Sequence, residues 1–134
     1  DLLHHLVDKL ENRADNIARY KEYFTEDADI LLISYGSSAR SALQMVEDRR
    51  QRGVKVGLLE LQSLWPFPKD TVREKCEGRS HVLVGEMNMG QICQEVKKAV
   101  SRPEKVYLAN RFDGIFISHT DILQILNLIL GKGV

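Results

Sequence analysis

Three short apolar segments of this sequence each run directly into a polar or aromatic loop, at 30–38, 56–68 and 82–91. A segment with helical character follows each of them, and a fourth apolar segment at 105–109 and a helix at 121–130 complete the alternation. This alternation predicts a parallel sheet with right-handed crossovers and helices on both faces. Because ligands and partners meet such a sheet at the carboxyl ends of its strands, we expect the functional residues along one edge.

The predicted fold is a three-layer α/β/α arrangement around a mainly parallel sheet of four to five strands. The four principal strands are expected at 30–35, 54–61, 81–86 and 105–109, in the spatial order 2-1-3-4. This order puts a topological switch between the first and third strands, beside Gly36 and Glu86. Apolar side chains at helical spacing predict an amphipathic helix over residues 1–24. We therefore divide the chain into a leading helix and connector at 1–28 and an α/β domain at 29–134.

Composition limits the class of protein. Of the 134 residues, 43% are hydrophobic and 28% charged, which is typical of a globular domain. Basic and acidic residues number 19 each, so no net charge attracts nucleic acid or an anionic membrane. Cys76 and Cys93 match no metal spacing, and no apolar run is long enough to span a membrane. The chain opens on Asp1 within a helical pattern, so we expect a cytoplasmic domain excised from a longer protein.

The loop after the first strand is a candidate anion site. Gly36, Ser37 and Ser38 lie between a strand and a helix, where backbone N–H groups and the helix dipole can hold a phosphate or carboxylate. Arg40 in the first helical turn would add a positive charge. The alternative is a tight turn that needs Gly36 and a helix capped by serine, with no ligand.

The second loop predicts a protein interface. Pro66 and Pro68 fix the backbone on either side of Phe67, so this loop presents Trp65 and Phe67 as rigid aromatic anchors. The alternative is that Trp65 packs on its own core.

The third loop places a carboxylate, Glu86, at a strand end, with Asn88 and Gln91 after it. A general acid or base would need a partner that the sequence does not supply, so these side chains are expected to bond loop backbone or to cross an interface. The chain offers no nucleophile with a base and no metal-binding set, so no catalytic residue is predicted.

Taken in order, the segments at 35–40, 64–68, 86–91 and 113–114 resemble the alpha subunit of 2-oxoacid:ferredoxin oxidoreductases. The resemblance covers nearly the whole chain and lies in the carboxyl-terminal portion of that subunit, a domain similar to the last domain of transketolase. Among the subgroups, the chain looks most like the enzymes for 2-oxoglutarate, which we favour, or for branched-chain 2-oxoacids.

The resemblance implies a role in the oxidative decarboxylation of a 2-oxoacid to an acyl-CoA. That reaction uses thiamine diphosphate with Mg²⁺ and passes electrons through iron–sulfur clusters to ferredoxin. In the family, thiamine diphosphate binds between the preceding pyrimidine-binding domain and a beta subunit, and gamma and delta subunits can join them. The implied role here is therefore structural, without a cofactor of its own, at an edge that faces the missing domain. The residues given this supporting role are Gly36, Ser37, Trp65, Pro66, Glu86, Asn88 and Gln91.

The sequence leaves two main hypotheses about the role of this domain, a part of a larger subunit or a stand-alone binding module. If the domain is part of a larger subunit, an apolar patch around Trp65 and Phe67 should be exposed in the isolated chain. The second hypothesis is a stand-alone module that binds coenzyme A or a nucleotide through Gly36, Ser37, Ser38 and Arg40. A receiver-like regulatory domain is disfavoured because the strand ends carry no acidic cluster.

Overall fold

The computed structural model of the chain describes residues 19–62, 64, 66–86, 91–110 and 119–131. Along the chain these form β1 (Tyr20–Tyr23), β2 (Ile30–Tyr35), α1 (Ser37–Gln51), β3 (Val56–Leu61), α2 (Lys69–Cys76), β4 (His81–Glu86), α3 (Gln91–Ala99), a 3₁₀ turn (Pro103–Lys105), β5 (Val106–Asn110) and α4 (His119–Leu130). No helix among these residues is long and apolar enough to cross a membrane.

The five strands form one sheet in the order β1-β3-β2-β4-β5. Strands β2, β3, β4 and β5 are mutually parallel where they pair, and their order is the predicted 2-1-3-4. The prediction of a mainly parallel sheet is therefore confirmed. Central strand β2 is buried along Ile30–Ser34, as a strand covered on both faces must be.

The helix predicted over residues 1–24 is wrong at its end, because Tyr20–Tyr23 forms β1, which pairs antiparallel with β3. Two tyrosines favour a strand, and the open edge of β3 supplies a backbone partner that a sequence pattern cannot reveal. Residues 1–18 lie outside the described part of the chain. The division of the chain at residue 28 stays a prediction.

Helices cover both faces of the sheet, which confirms the three-layer arrangement. On one face α1 and α4 pack against each other and against the sheet. On the other face α2 and α3 do the same. The two core clusters use alternate residues of β2, with Ile30 and Leu32 in the first cluster and Leu31 and Ile33 in the second.

The predicted topological switch is also present. Helix α1 leaves the carboxyl end of β2 toward one face, whereas α3 follows β4 and covers the opposite face. The helices that follow these two neighbouring strands therefore lie on opposite faces, which is the arrangement at which folds of this class bind ligands or partners.

Candidate interface at the carboxyl edge of the sheet

The register of the strands brings three predicted loops to one edge, which we call the carboxyl edge. Ser34 of β2 lies opposite Gly85 of β4, and Tyr35 lies opposite Leu61 of β3. The chain segments that follow β2, β3 and β4 therefore start side by side. Trp65 and Asn88 belong to these segments but lie outside the described residues.

The turn between β2 and α1 depends on glycine. Gly36 has φ +60° and ψ −141°, a conformation that a residue with a Cβ adopts only with strain. It occupies the N-cap position of α1, and no side chain caps that end of the helix. The tight turn expected at Gly36 is therefore confirmed, whereas the expected serine cap is absent.

Ser38 bonds to the sheet instead of capping the helix. Its Oγ donates to the Tyr35 carbonyl at 2.7 Å, lies 3.2 Å from the Gly85 carbonyl, and is 2.8 Å from Ser34 Oγ. The side chain is buried, and its hydroxyl is fully engaged within the chain. Ser38 is thus a poor donor for an external anion, which weakens one of the four predicted anion contacts.

Ser34 is a residue that sequence reasoning missed. Its hydroxyl donates to the Gly85 carbonyl at 2.8 Å and is completely buried, so it ties β2 to β4 directly below the open edge. One signal was available: a lone serine inside an apolar, fully buried strand must find a hydrogen-bond partner.

Glu86 is a buried carboxylate that caps a helix. Its side chain is 0% exposed, and Oε2 accepts a hydrogen bond from the Cys93 backbone N–H at 2.9 Å. Cys93 is the third residue of α3, so the carboxylate satisfies one of the free N–H groups at the helix start and faces the positive end of its dipole. The hydrogen bond to backbone expected for Glu86 is observed, but its donor lies in the first turn of α3 and not in the loop; the interface role stays a prediction. Its Oε1 has no partner among the described residues.

The aromatic loop is less exposed than its sequence suggests. Phe67 is 7% exposed and packs in the second core cluster with Leu61 and Val72. The exposed patch expected around Trp65 and Phe67 is therefore wrong for Phe67, because its ring packs in the core with residues of β3 and α2, and Trp65 lies outside the described residues. Pro66 is half-buried.

The described surface of the carboxyl edge is small and polar. Gly36, Ser37, Arg40 and Gln91 are exposed, with Pro66 beside them. Ser37 lies at the first position of α1 and Gln91 at the first position of α3, so two helix starts open onto the same edge. This arrangement offers backbone donors and small side chains to a partner, and a tightly bonded layer lies beneath it.

The described residues do not form a metal or cluster site. No group of three His, Cys, Asp or Glu side chains among them could hold a metal ion. The chain has two cysteines, whereas the usual ligand set of an iron–sulfur cluster is four. Both are buried; burial raises the pKa of Cys76 to about 12 and also raises the pKa of Cys93. Two buried thiols are therefore too few for a four-thiolate cluster within this chain.

Solved structures share this fold. The structure of 2-oxoglutarate:ferredoxin oxidoreductase from Magnetococcus marinus with 2-oxoglutarate, coenzyme A and succinyl-CoA bound is similar with a TM-score of 0.82 and 19% identity, over 95% of this chain and 22% of that chain. A split-gene transketolase in an inactive beta4 tetramer is similar with a TM-score of 0.68 and 16% identity, over 84% of this chain and 41% of that one. At these identities the likeness concerns the fold, and it confirms the transketolase-like arrangement.

Two relatives are more similar in sequence. The ketoisovalerate oxidoreductase subunit VorB of Methanothermobacter marburgensis is 40% identical over 96% of this chain and 36% of its own length. The 2-oxoglutarate synthase subunit KorA of the same organism is 38% identical over 97% of this chain and 34% of its own length. The chain thus spans about a third of each relative. The family described as pyruvate:ferredoxin oxidoreductase core domain II matches residues 28–122, and this chain belongs to that family.

Proposed function

We propose that this chain is a structural and assembly domain of the alpha subunit of a 2-oxoacid:ferredoxin oxidoreductase in the cytoplasm. The complete enzyme would convert a 2-oxoacid, coenzyme A and oxidised ferredoxin into an acyl-CoA, CO₂ and reduced ferredoxin. Thiamine diphosphate with Mg²⁺ and the iron–sulfur clusters would be held by other domains and subunits. Family membership and the names of the relatives support this proposal.

One observation carries the structural role. At the carboxyl edge, the described side chains capable of chemistry are engaged inside the chain: Ser34 and Ser38 bond to the strands, and Glu86 caps α3. Groups held in this way fix the shape of an edge. The edge is therefore suited to docking. Its direct partners would be the preceding pyrimidine-binding domain and the beta subunit. Gamma and delta subunits and ferredoxin would bind farther away. The interface residues would be Trp65, Pro66, Asn88 and Gln91, and the buried Phe67 and Glu86 would hold the shape of the edge beneath them.

The test is assembly of the whole enzyme. Gln91→Arg places a bulky charge on the exposed start of α3, whereas Gln51→Arg places the same side chain on the exposed end of α1, at the opposite edge of the sheet. We expect the complete alpha subunit with Gln91→Arg to lose association with the beta subunit in size-exclusion chromatography and to lose oxidoreductase activity. Gln51→Arg should preserve both, and equal assembly of the two variants would contradict the proposal.

The 2-oxoacid is assigned by a separate assay. We propose 2-oxoglutarate, the acid favoured by the sequence resemblance, and ketoisovalerate is the competing substrate because relatives named for the two acids are similarly identical to this chain, at 38% and 40% respectively. The assembled enzyme should reduce ferredoxin with a higher kcat/KM for 2-oxoglutarate than for ketoisovalerate. The reverse order would assign the enzyme to the branched-chain subgroup and leave the docking role of this domain intact.

Calorimetry tests the stand-alone alternative. If Gly36, Ser37, Ser38 and Arg40 formed a complete site, the chain by itself would bind coenzyme A or ATP with micromolar affinity. Because the Ser38 hydroxyl is bonded to Tyr35 and Gly85, we expect no micromolar site at this turn, so any binding of these ligands to the chain should be unchanged in an Arg40→Gln variant.

A further inference from the structure

A cleft at the opposite end of the sheet carries an excess of positive charge. It has a volume of about 290 Å³ and lies where β4 and β5 begin, between the ends of α2 and α3. Its polar lining consists of three cations, one carboxylate and one hydroxyl, from Arg79, Arg102, Lys105, Glu77 and Ser101. The formal charge of this lining is therefore positive, although the chain as a whole has no net charge.

None of the three cations forms an ion pair with a carboxylate in the part of the chain that the structure describes. Arg79 donates from Nε to the Lys75 carbonyl at 2.9 Å and from Nη1 to the Ala28 carbonyl at 2.6 Å. Lys105 Nζ lies 3.3 Å from the Arg79 carbonyl. Neutral carbonyls hold these side chains in place without cancelling their charges, and Arg102 is exposed at the rim.

The two acidic groups nearby have hydrogen-bond or ion-pair partners other than the three cations. Both carboxylate oxygens of Glu77 lie within 3.3 Å of Ser101 Oγ. Glu22, on the far side of Arg79, forms an ion pair with Lys75 at 3.0 Å. The ends of α2 and α3 contribute partial negative charge, and Arg79 Nε already bonds one carbonyl in the last turn of α2. A positive excess therefore remains for an external anion.

We propose that this cleft binds a phosphate dianion, either free or as the terminal group of a phosphate ester. Guanidinium and ammonium groups are the cations that protein sites use for phosphate. Arg102 can present two parallel N–H groups to two phosphate oxygens, whereas Arg79, whose Nε and Nη1 bond carbonyls, adds its charge and its remaining N–H donors. The cleft binds and does not react: burial holds the pKa of the neighbouring Cys76 thiol at about 12, so no thiolate nucleophile is present at neutral pH. This site is separate from the carboxyl edge, so it does not rest on the proposed function.

The experiment titrates inorganic phosphate into the complete assembled protein by calorimetry. The protein is first saturated with thiamine diphosphate, so that any diphosphate site elsewhere is occupied. Variant R102Q/K105Q removes two cleft charges, and control variant K69Q/K97Q removes two charges from exposed lysines outside the cleft. Thermal unfolding verifies that both variants are folded. Wild type and control should bind one phosphate per chain, more weakly as salt rises, whereas R102Q/K105Q should bind at least about tenfold more weakly.

Equal phosphate affinity in R102Q/K105Q and wild type, or no saturable binding by wild type, would overturn the proposal. A parallel titration with methyl phosphate identifies the source of the group. Tighter binding of methyl phosphate supports the cleft with an ester as its ligand, and tighter binding of inorganic phosphate supports it with the free ion.

Discussion

The two ends of the sheet are stabilised by different chemistry. At the carboxyl edge, two serine hydroxyls and one helix-capping carboxylate bond the ends of β2 and β4 to α1 and α3. At the opposite end, the amino edge, arginine side chains and ion pairs hold the turn between β1 and β2. Arg50 alone bonds the Asp27 carboxylate and the carbonyls of Phe24 and Val56.

Because of this difference, one domain can be rigid and still present an exposed surface to a partner. The cleft opens where β4 and β5 begin, whereas on the β1 side of the amino edge long charged side chains lie over the turn between β1 and β2. There, partial burial acts to raise the pKa of Glu22, but hydrogen bonds from Lys75 and Thr25 outweigh it and the pKa is lowered. Short, buried hydroxyls hold the carboxyl edge from below, so Gly36, Ser37 and Gln91 stay exposed above them. We therefore expect the amino edge to determine stability and the carboxyl edge to determine assembly.

The largest expected difference in stability between the two edges comes from substituting one glycine at each. A Cβ on Gly57, near the amino end of β3, would lie 2.6 Å from the Phe24 carbonyl oxygen, which Arg50 holds in place. A Cβ on Gly85, at the carboxyl edge, would meet nothing closer than Ser34 Oγ at 3.6 Å. Gly57→Ala should lower the free energy of unfolding by about 3 kcal/mol, and Gly85→Ala by less than about 1 kcal/mol. Denaturant unfolding measures both, and equal losses would remove the contrast.

Arg50 provides the second test. Its guanidinium joins the β1–β2 turn to the start of β3. A lysine ammonium cannot bond the two carbonyls and the Asp27 carboxylate at the same time. We expect Arg50→Lys to lower the free energy of unfolding by about 2 kcal/mol. The matched control is Arg52→Lys, since the Arg52 side chain is 63% exposed and forms only a long ion pair with Asp48. If both substitutions prove neutral in urea unfolding, the amino edge does not depend on Arg50.

The serines at the carboxyl edge should matter less. Ser34→Ala removes the shorter of the two side-chain hydrogen bonds to the buried Gly85 carbonyl, so we expect a loss of about 1–2 kcal/mol in the free energy of unfolding. Ser80→Ala serves as the control because Ser80 bonds the Asp29 carbonyl on the exposed surface. A Ser34 effect no larger than that of Ser80 would mean that the hydroxyl layer does not stabilise the edge.

The smallest expected effect is the change in stability with pH that the Cys76 thiol causes. The Cys76 thiol has a pKa raised from 9.0 to about 12 by burial, so the folded chain retains a proton that the unfolded chain loses near pH 9. Its contribution to stability is thus complete below pH 9 and declines as pH rises toward 12. Cys76→Ala should show a shallower loss of melting temperature than wild type between pH 9 and 10.5. Parallel curves for the two proteins would contradict this assignment.

The sequence predicted what depends on local pattern. Continuous apolar runs and intervening helices were sufficient for the order of β2 to β5, because right-handed crossovers leave few alternatives. Strand β1 could not be predicted, since its conformation depends on the distant edge of β3. Phe67 was misread because a proline-framed aromatic resembles an exposed anchor until the gap between β3 and α2 is known. Likewise, nothing local distinguishes Arg50 from its neighbours Arg49 and Arg52.

Hydrogen exchange during assembly can show directly whether the carboxyl edge is the end of the sheet that contacts the beta subunit. Amide exchange would be measured by mass spectrometry on the complete alpha subunit, alone and bound to the beta subunit. We predict that binding slows exchange at residues 36–40 and 91–93, at the carboxyl edge, and leaves residues 24–29, at the amino edge, unchanged. Slower exchange at residues 24–29, together with unchanged exchange at 36–40 and 91–93, would mean that the amino edge is the contact and would contradict docking at the carboxyl edge.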